Sequence, residues 1–237
     1  MHDYRFFVDR ENIYSHDLIL VNEEFKHCCC VLRYGIGDKV TVFDGTGIVY
    51  KTEIMNVSKN QVQCKILEKT YQTTNNRLNV HLAVGLVKSK SLDLIIEQAC
   101  SLGIFSFYPV ETEHSIKKNF NYDRYIKKAI ESIKQSGNTI LPKINSIVSF
   151  NELIDKTKDI ETKLICYQHS EIRMSQIEFC NIKKLLVFIG PEGGFSQNEI
   201  NYSITNGFQS INIFDNRLRV ELAVTTTLAG IHTLYRR

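Results

Sequence analysis

The run IGPEGGFSQNE, Ile189 to Glu199, constrains this chain more than any other stretch. An apolar strand, Leu185 to Ile189, feeds into a glycine-rich turn, and the turn opens a helix. Gly190, Gly193 and Gly194 permit positive φ and close approach of a ligand, while Pro191 stiffens the turn and carries no N–H donor. Ser196 with Glu199 three positions on forms a capping box, which predicts a helix beginning near Gln197. The run matches neither a Walker P-loop nor GxGxxG. Glu192 inside the turn would repel a bare phosphate, so a neutral or positively charged ligand fits better.

Taken alone, such a turn is also an ordinary strand-to-helix connection. A second junction downstream changes the reading. Strand Ile211 to Phe214 runs into Asp215 to Arg219 and then into a C-terminal helix that starts at Val220. Two adjacent strand ends, each opening into a loop, form the kind of crevice in which open α/β sheets bind ligands.

The rest of the chain alternates in a way that suits such a sheet. Before it, the N-terminal part reads as β. Lys39 to Phe43 and Ile48 to Val57 flank the turn Asp44-Gly45-Thr46-Gly47, and Gln61 to Leu67 follows, giving a three-strand meander. Tyr4 to Val8 adds a strand and Glu23 to Leu32 a short helix, so residues 1–70 read as a small barrel. The polar stretch that follows carries no apolar period, and a linker is expected at 71–77. From Leu78 onward strands and helices alternate: Leu78 to Val87, a helix from Ser91 to Leu102 stopped by Gly103, Ile104 to Val110, a basic helix from Tyr122 to Gln135, then Lys163 to Tyr167. With the two junctions above, five strands imply a mostly parallel sheet covered on both faces, an α/β domain over 78–237.

Composition narrows the class. A length of 237 residues allows one or two domains with a real core. The chain has no run of eighteen apolar residues, and its first ten residues lack a signal-peptide apolar stretch, so a soluble, cytoplasmic protein is expected. Seven cysteines without a CxxC argue against a disulfide framework or a zinc ribbon. Cys28, Cys29 and Cys30 lie beside His27, but three adjacent side chains diverge, and no bound metal is expected. A net charge of +3 requires any nucleic-acid contact to come from local clusters. Arg5, Arg10 and Arg33 form one candidate, and Lys117, Lys118, Arg124, Lys127 and Lys128 another; for any single cluster a solvated face is the simpler explanation.

Several segments in register carry a resemblance. GPEGGFS (Gly190 to Ser196) with Glu199, RLRVELA (Arg217 to Ala223), QSG (Gln135 to Gly137), PVETEHS (Pro109 to Ser115), EQACSLG (Glu97 to Gly103) and the N-terminal pair HCCCVLR (His27 to Arg33) and GDKVTVFDGTG (Gly37 to Gly47) all stand in one order. In that order the chain resembles the RsmE family of 16S ribosomal RNA uridine-N3 methyltransferases, of the SPOUT class, from end to end. The resemblance implies a PUA-like β-barrel for RNA docking, a SPOUT-type α/β domain with a trefoil knot, S-adenosylmethionine as cofactor and a homodimer. It implies 16S rRNA as partner, with the assembled 30S subunit as the expected setting. The knot rests on the resemblance alone, because threaded chains are rare.

Within that resemblance the residues take roles. Ile189, Gly190, Glu192, Gly193, Gly194, Ile213 and Leu218 are the expected cofactor contacts. Uridine N3 carries a proton at neutral pH, and its loss spreads charge onto two ring carbonyls. Arg219 is the candidate to stabilise that charge, and Glu221 either accepts the proton or orients Arg219. The same two residues also read as a salt bridge at a helix N-terminus. Arg5, Arg33 and Lys88 match basic positions of the family and are candidate RNA contacts. His27 and His114 lie in matched segments and are given no chemistry; Gln135 and Ser136 are expected to shape a helix end near the cofactor or a dimer contact. Two alternatives stay open: another SPOUT enzyme acting on a ribose hydroxyl or a transfer RNA base, and a non-catalytic RNA-binding protein that retains the fold.

Overall fold

The computed structural model describes residues 4–71, 78–116, 120–179 and 181–235. The chain divides into two compact units, one of residues 1–75 with 133–141, the other of residues 76–132 with 142–237. The expected linker at 71–77 lies, apart from Tyr71, outside the described residues, as do Lys117 and Lys118 of the basic cluster.

In the first unit, β1 (Arg5–Phe7), β2 (Asp17–Val21), β3 (Lys39–Phe43), β4 (Ile48–Val57) and β5 (Gln61–Tyr71) form one sheet in the order β1-β3-β4-β5-β2. β3, β4 and β5 are the expected antiparallel meander, and irregularities in the β4–β5 ladder after Lys51 and Ile54 add the curl that bulges impose. Asp44 closes the β3–β4 turn: its carboxylate accepts from the Thr46 amide at 2.9 Å, the Thr46 hydroxyl at 2.7 Å and the Tyr50 phenol at 3.1 Å. Alternate residues point inward, so Phe6, Leu18, Leu20, Val40, Val42 and Ile54 share one core. α1 (Asn22–Phe25) runs on into a π-helical turn over Lys26–Val31, within the stretch expected to be helical.

Residues 133–141 belong to this unit, which no periodicity signalled. Lys134 meets the Glu24 carboxylate at 2.6 and 2.8 Å, Gly47 donates its amide to Thr139 at 3.0 Å, and Leu141 donates to the Gly45 carbonyl at 2.8 Å. The Arg5 guanidinium donates to the Gly137 carbonyl at 2.7 Å. Gln135 and Ser136 thus end a helix that docks inside the first unit, and Arg5 is engaged there with backbone.

The second unit is built on a parallel sheet. β6 (Asn79–Gly85), β7 (Ser106–Glu111), β8 (Lys143–Ile144), β9 (Val148–Ser149), β10 (Thr162–Cys166), β11 (Lys184–Ile189) and β12 (Phe208–Ile211) run in the order β12-β10-β11-β6-β7-β8, with β9 also on β7, and every pair is parallel. Such sheets are buried on both faces, and β6 and β11 accordingly read as nearly unbroken apolar runs. Ala83, Leu186 and Phe188 face α4 (Phe150–Lys156) and α5 (Gln197–Thr205) through Phe150, Leu153, Ile154 and Ile200. α2 (Ser89–Ser101) and α6 (Val220–Tyr235) pack together, and α6 also meets β11. α3 (Tyr122–Ser136) pairs with α2 through Arg124 with Asp93 and Lys128 with Glu97, so part of the basic cluster is a salt-bridged helix face.

Two expectations need correction. The last strand is Phe208–Ile211 and not Ile211 to Phe214, because the Asn212 side chain accepts the Phe214 amide at 3.0 Å and turns the chain out of the sheet. The strands before the two loops are also not neighbours, since β10 pairs with both β11 and β12 and lies between them.

Burial, with the nearby Lys184 charge second, holds the His81 imidazole on β6 below its ordinary value of 6.5. The unfolded chain therefore binds that proton more readily. The stability contributed by neutral His81 is complete above pH 6.5 and is lost as pH falls through the lowered folded value. The melting temperature should accordingly fall between about pH 7 and about pH 5. His81→Leu should flatten that slope without abolishing it, because burial lowers His27 as well.

Candidate functional site

All strands of the second sheet point the same way, so their C-terminal ends open along one edge. There the chain leaves a cavity of about 750 Å³. The end of β10 contributes Cys166, Tyr167, Gln168 and His169; the turn after β11 contributes Ile189 to Phe195; the segment after β12 contributes Asn212 to Phe214 and Asn216 to Ala223, apart from Leu222. Lys88 and Ser91, at the start of α2, complete the wall.

The glycine turn closes as its sequence requires. Gly194 donates its amide to the Pro191 carbonyl at 2.8 Å and takes φ +71°, a conformation that disfavours any side chain. Ser196 then accepts from the Glu199 amide at 3.3 Å while Glu199 accepts from the Ser196 amide at 2.9 Å, so the capping box starts α5 at Gln197. From behind, the turn rests on the end of β6. A Cβ on Gly85 would lie 2.4 Å from Pro191 Cδ.

Cross-links join the loops to one another. The Arg217 guanidinium donates to the Glu192 carbonyl, tying the segment after β12 to the turn after β11. Asn212 donates to the Gln168 carbonyl at 3.1 Å, and the Tyr167 hydroxyl reaches Gln197 at 3.3 Å, so the β10 loop is held from both sides. Arg173 pairs with Asp215 at 2.7 Å on the outer side of the final loop.

The structure brings Ile189, Gly190, Glu192, Gly193, Gly194, Ile213, Leu218, Arg219, Glu221 and Lys88 to this one cavity. Arg219 is exposed where α6 begins, its carbonyl accepting the Ala223 amide at 2.8 Å, and Glu221 lies in the first turn. Among the described residues no ion pair joins Arg219 to Glu221, so the two are not held as a helix-end salt bridge. Arg5 and Arg33 are in the first unit, Arg33 exposed and at φ +60°. The sequence reading missed Tyr167, Gln168 and His169, because nothing in KLICY marks it as the strand between the other two. It also missed Cys166 as a cavity wall. Burial pushes that thiol up to about 12, against a smaller opposing effect of its hydrogen bond with Thr227, so the wall is neutral there.

The lining carries both signs of charge, Lys88, Arg217 and Arg219 against Glu192 and Glu221, and fits a compact ligand that bears both. The volume is within the range of small-molecule sites, the turns offer backbone N–H and C=O groups, and Glu192 supplies negative charge. Among the described residues no group of three or more His, Cys, Asp or Glu side chains could hold a metal ion, and no helix is long and apolar enough to cross a membrane.

Comparison with known proteins agrees with this geometry. The family described as RNA methyltransferase domain matches residues 74–232, and the RNA methyltransferase PUA domain matches residues 20–67. Ribosomal RNA small subunit methyltransferase E of Bacillus subtilis (strain 168) is 27% identical over 225 residues, covering 90% of this chain and 88% of the relative. The protein of the same name from Synechocystis sp. (strain ATCC 27184 / PCC 6803 / Kazusa) is 29% identical over 237 residues, covering 98% and 78%. The crystal structure of ribosomal RNA small subunit methyltransferase E from Neisseria gonorrhoeae bound to S-adenosyl methionine superposes with a TM-score of 0.89 at 26% identity, covering 99% of this chain and 98% of that one.

The Gly85–Pro191 contact leaves no room for a methyl group. Gly85→Ala should destabilise the second unit by about 1–3 kcal/mol, the usual range for overpacking, read from urea unfolding.

Proposed function

The chain belongs to the RNA methyltransferase family, and from that premise we propose that it is an RsmE-type, S-adenosylmethionine-dependent enzyme that methylates N3 of a uridine in 16S ribosomal RNA. The observation that carries this reading is the convergence of the glycine turn, the segment Ile213 to Leu218 and the pair Arg219 and Glu221 on one cavity. S-adenosylmethionine, when bound, supplies an electrophilic methyl group.

The residues of this chain do the rest. Backbone groups of Ile189 to Gly194 and of Ile213 and Leu218 hold the nucleoside and amino-acid parts, and the Glu192 carboxylate favours the sulfonium charge. Arg219, exposed and free of any ion pair among the described residues, stabilises the charge that develops on the uracil carbonyls as N3 loses its proton. Glu221 accepts that proton or orients Arg219. Holding the reacting groups together supplies a large part of the acceleration. In this reading Lys88, which lines the cavity, contacts a substrate phosphate, and the exposed Arg33 contacts RNA from the first unit.

The homodimer and the assembled 30S subunit belong to the same proposal. α6 is apolar around much of its circumference, and Leu222 on it and Phe214 just before it are about half exposed, a surface that a second copy would cover. A cytoplasmic location follows from the ribosomal substrate.

Undermethylated small subunits offered to the protein with labelled S-adenosylmethionine should yield 3-methyluridine on nucleoside hydrolysis. Label in a ribose methyl, or in transfer RNA alone, would replace this reading with a related enzyme of the class. RNA binding without cofactor binding would replace it with a non-catalytic protein. Arg219→Ala should cut turnover at least about tenfold while leaving cofactor affinity little changed, as expected for an interaction made mainly in the transition state.

A further inference from the structure

Loop Thr112 to Ile116, after β7, lies outside the cavity, yet it grips the turn that lines it. The Glu113 amide donates to Glu199 Oε1 at 2.8 Å, while the other oxygen of the same carboxylate accepts from Ser196. His114 Nδ1 lies 3.3 Å from the Gly194 carbonyl. A carbonyl only accepts, so Nδ1 carries the hydrogen in this contact. The His114 side chain also lies close against the turn, and a Cβ on Gly193 would come within 2.8 Å of His114 Cβ.

The gripping loop is itself fixed. The Ser115 hydroxyl accepts from the Leu86 amide at 3.2 Å and the Thr112 amide at 2.9 Å, and the Ile116 amide donates to the Leu86 carbonyl at 3.2 Å. His114 therefore stands on a base anchored to the ends of β6 and β7, and it reaches a glycine pair of the cavity wall that has no side chains of its own to pack.

We propose that His114 is a positioning residue for the methyl-donor loop, fixing the Gly194–Phe195 peptide through the Gly194 carbonyl from outside the cavity, so that the glycine turn keeps the orientation that binds the cofactor. A glycine pair gains backbone freedom with each missing side chain, and an external donor restores the order that the pair lacks. The inference rests on the cofactor reading above, so its test begins with the unmodified protein.

Calorimetric titration with S-adenosylhomocysteine should show binding to the parent, affinity lowered about tenfold in His114→Ala, the equivalent of one hydrogen bond, and affinity within about twofold of the parent in His114→Asn, whose amide places an N–H where Nδ1 stands. In methyl-transfer assays His114→Ala should raise KM for S-adenosylmethionine and leave kcat at saturation nearly unchanged. Parent-like affinity in His114→Ala or no rescue by His114→Asn would each overturn the role. A parent protein that does not bind S-adenosylhomocysteine would sink the cofactor reading itself, and this proposal with it.

Discussion

Parallel pairing of β6, β10, β11 and β12 is the constraint from which the cavity follows. Strands that share a direction deliver their C-terminal loops to one edge, and no hairpin can carry any of them away. Because β10 lies between β11 and β12, three loops and not two surround the cavity. The central strands also leave no slack. Pro191 sits so close to Gly85 that the glycine turn is set by the end of β6 as much as by its own sequence.

The two arginines of the final loop divide the work by their position. Arg217 reaches back to the Glu192 carbonyl and joins two loops into one wall. Arg219 stands where α6 begins, where the helix dipole disfavours a cation, and Glu221 just beyond it is favoured by the same field. A positive charge at that point does nothing for the helix. Both arginines of RLR are exposed, and what separates them is that Arg217 is held by the Glu192 carbonyl while Arg219 makes no ion pair among the described residues.

Local sequence rules were legible where both partners of an interaction are close in the chain. The Ser196–Glu199 capping box, the Asp44 turn and the β3–β4–β5 meander depend on residues within a few positions, and each formed as the residue pattern indicates. Interactions between distant segments left no such trace. The strand partner of β2 is not marked in the sequence, because DLILV pairs with β5 some forty residues later. The return of 133–141 to the first unit depends on Lys134 meeting Glu24 and on Gly137 meeting Arg5, pairs separated by more than a hundred positions. The last strand was displaced by a side chain: Asn212 looks like part of an alternating strand until its amide oxygen captures the Phe214 N–H.

The sequence by itself determined the β-rich first part, the alternating second part, the sharp turn at Gly190 to Gly194 and the helix that follows it, because each is dictated by backbone conformation, apolar period or a cap within one short segment. Tertiary structure alone decided which strands are neighbours, that the β10 loop enters the cavity wall, that Arg217 is engaged while Arg219 is open, and that His114 braces the glycine turn. Those outcomes depend on register and close approach between segments distant in the chain, and period and propensity carry no information about either.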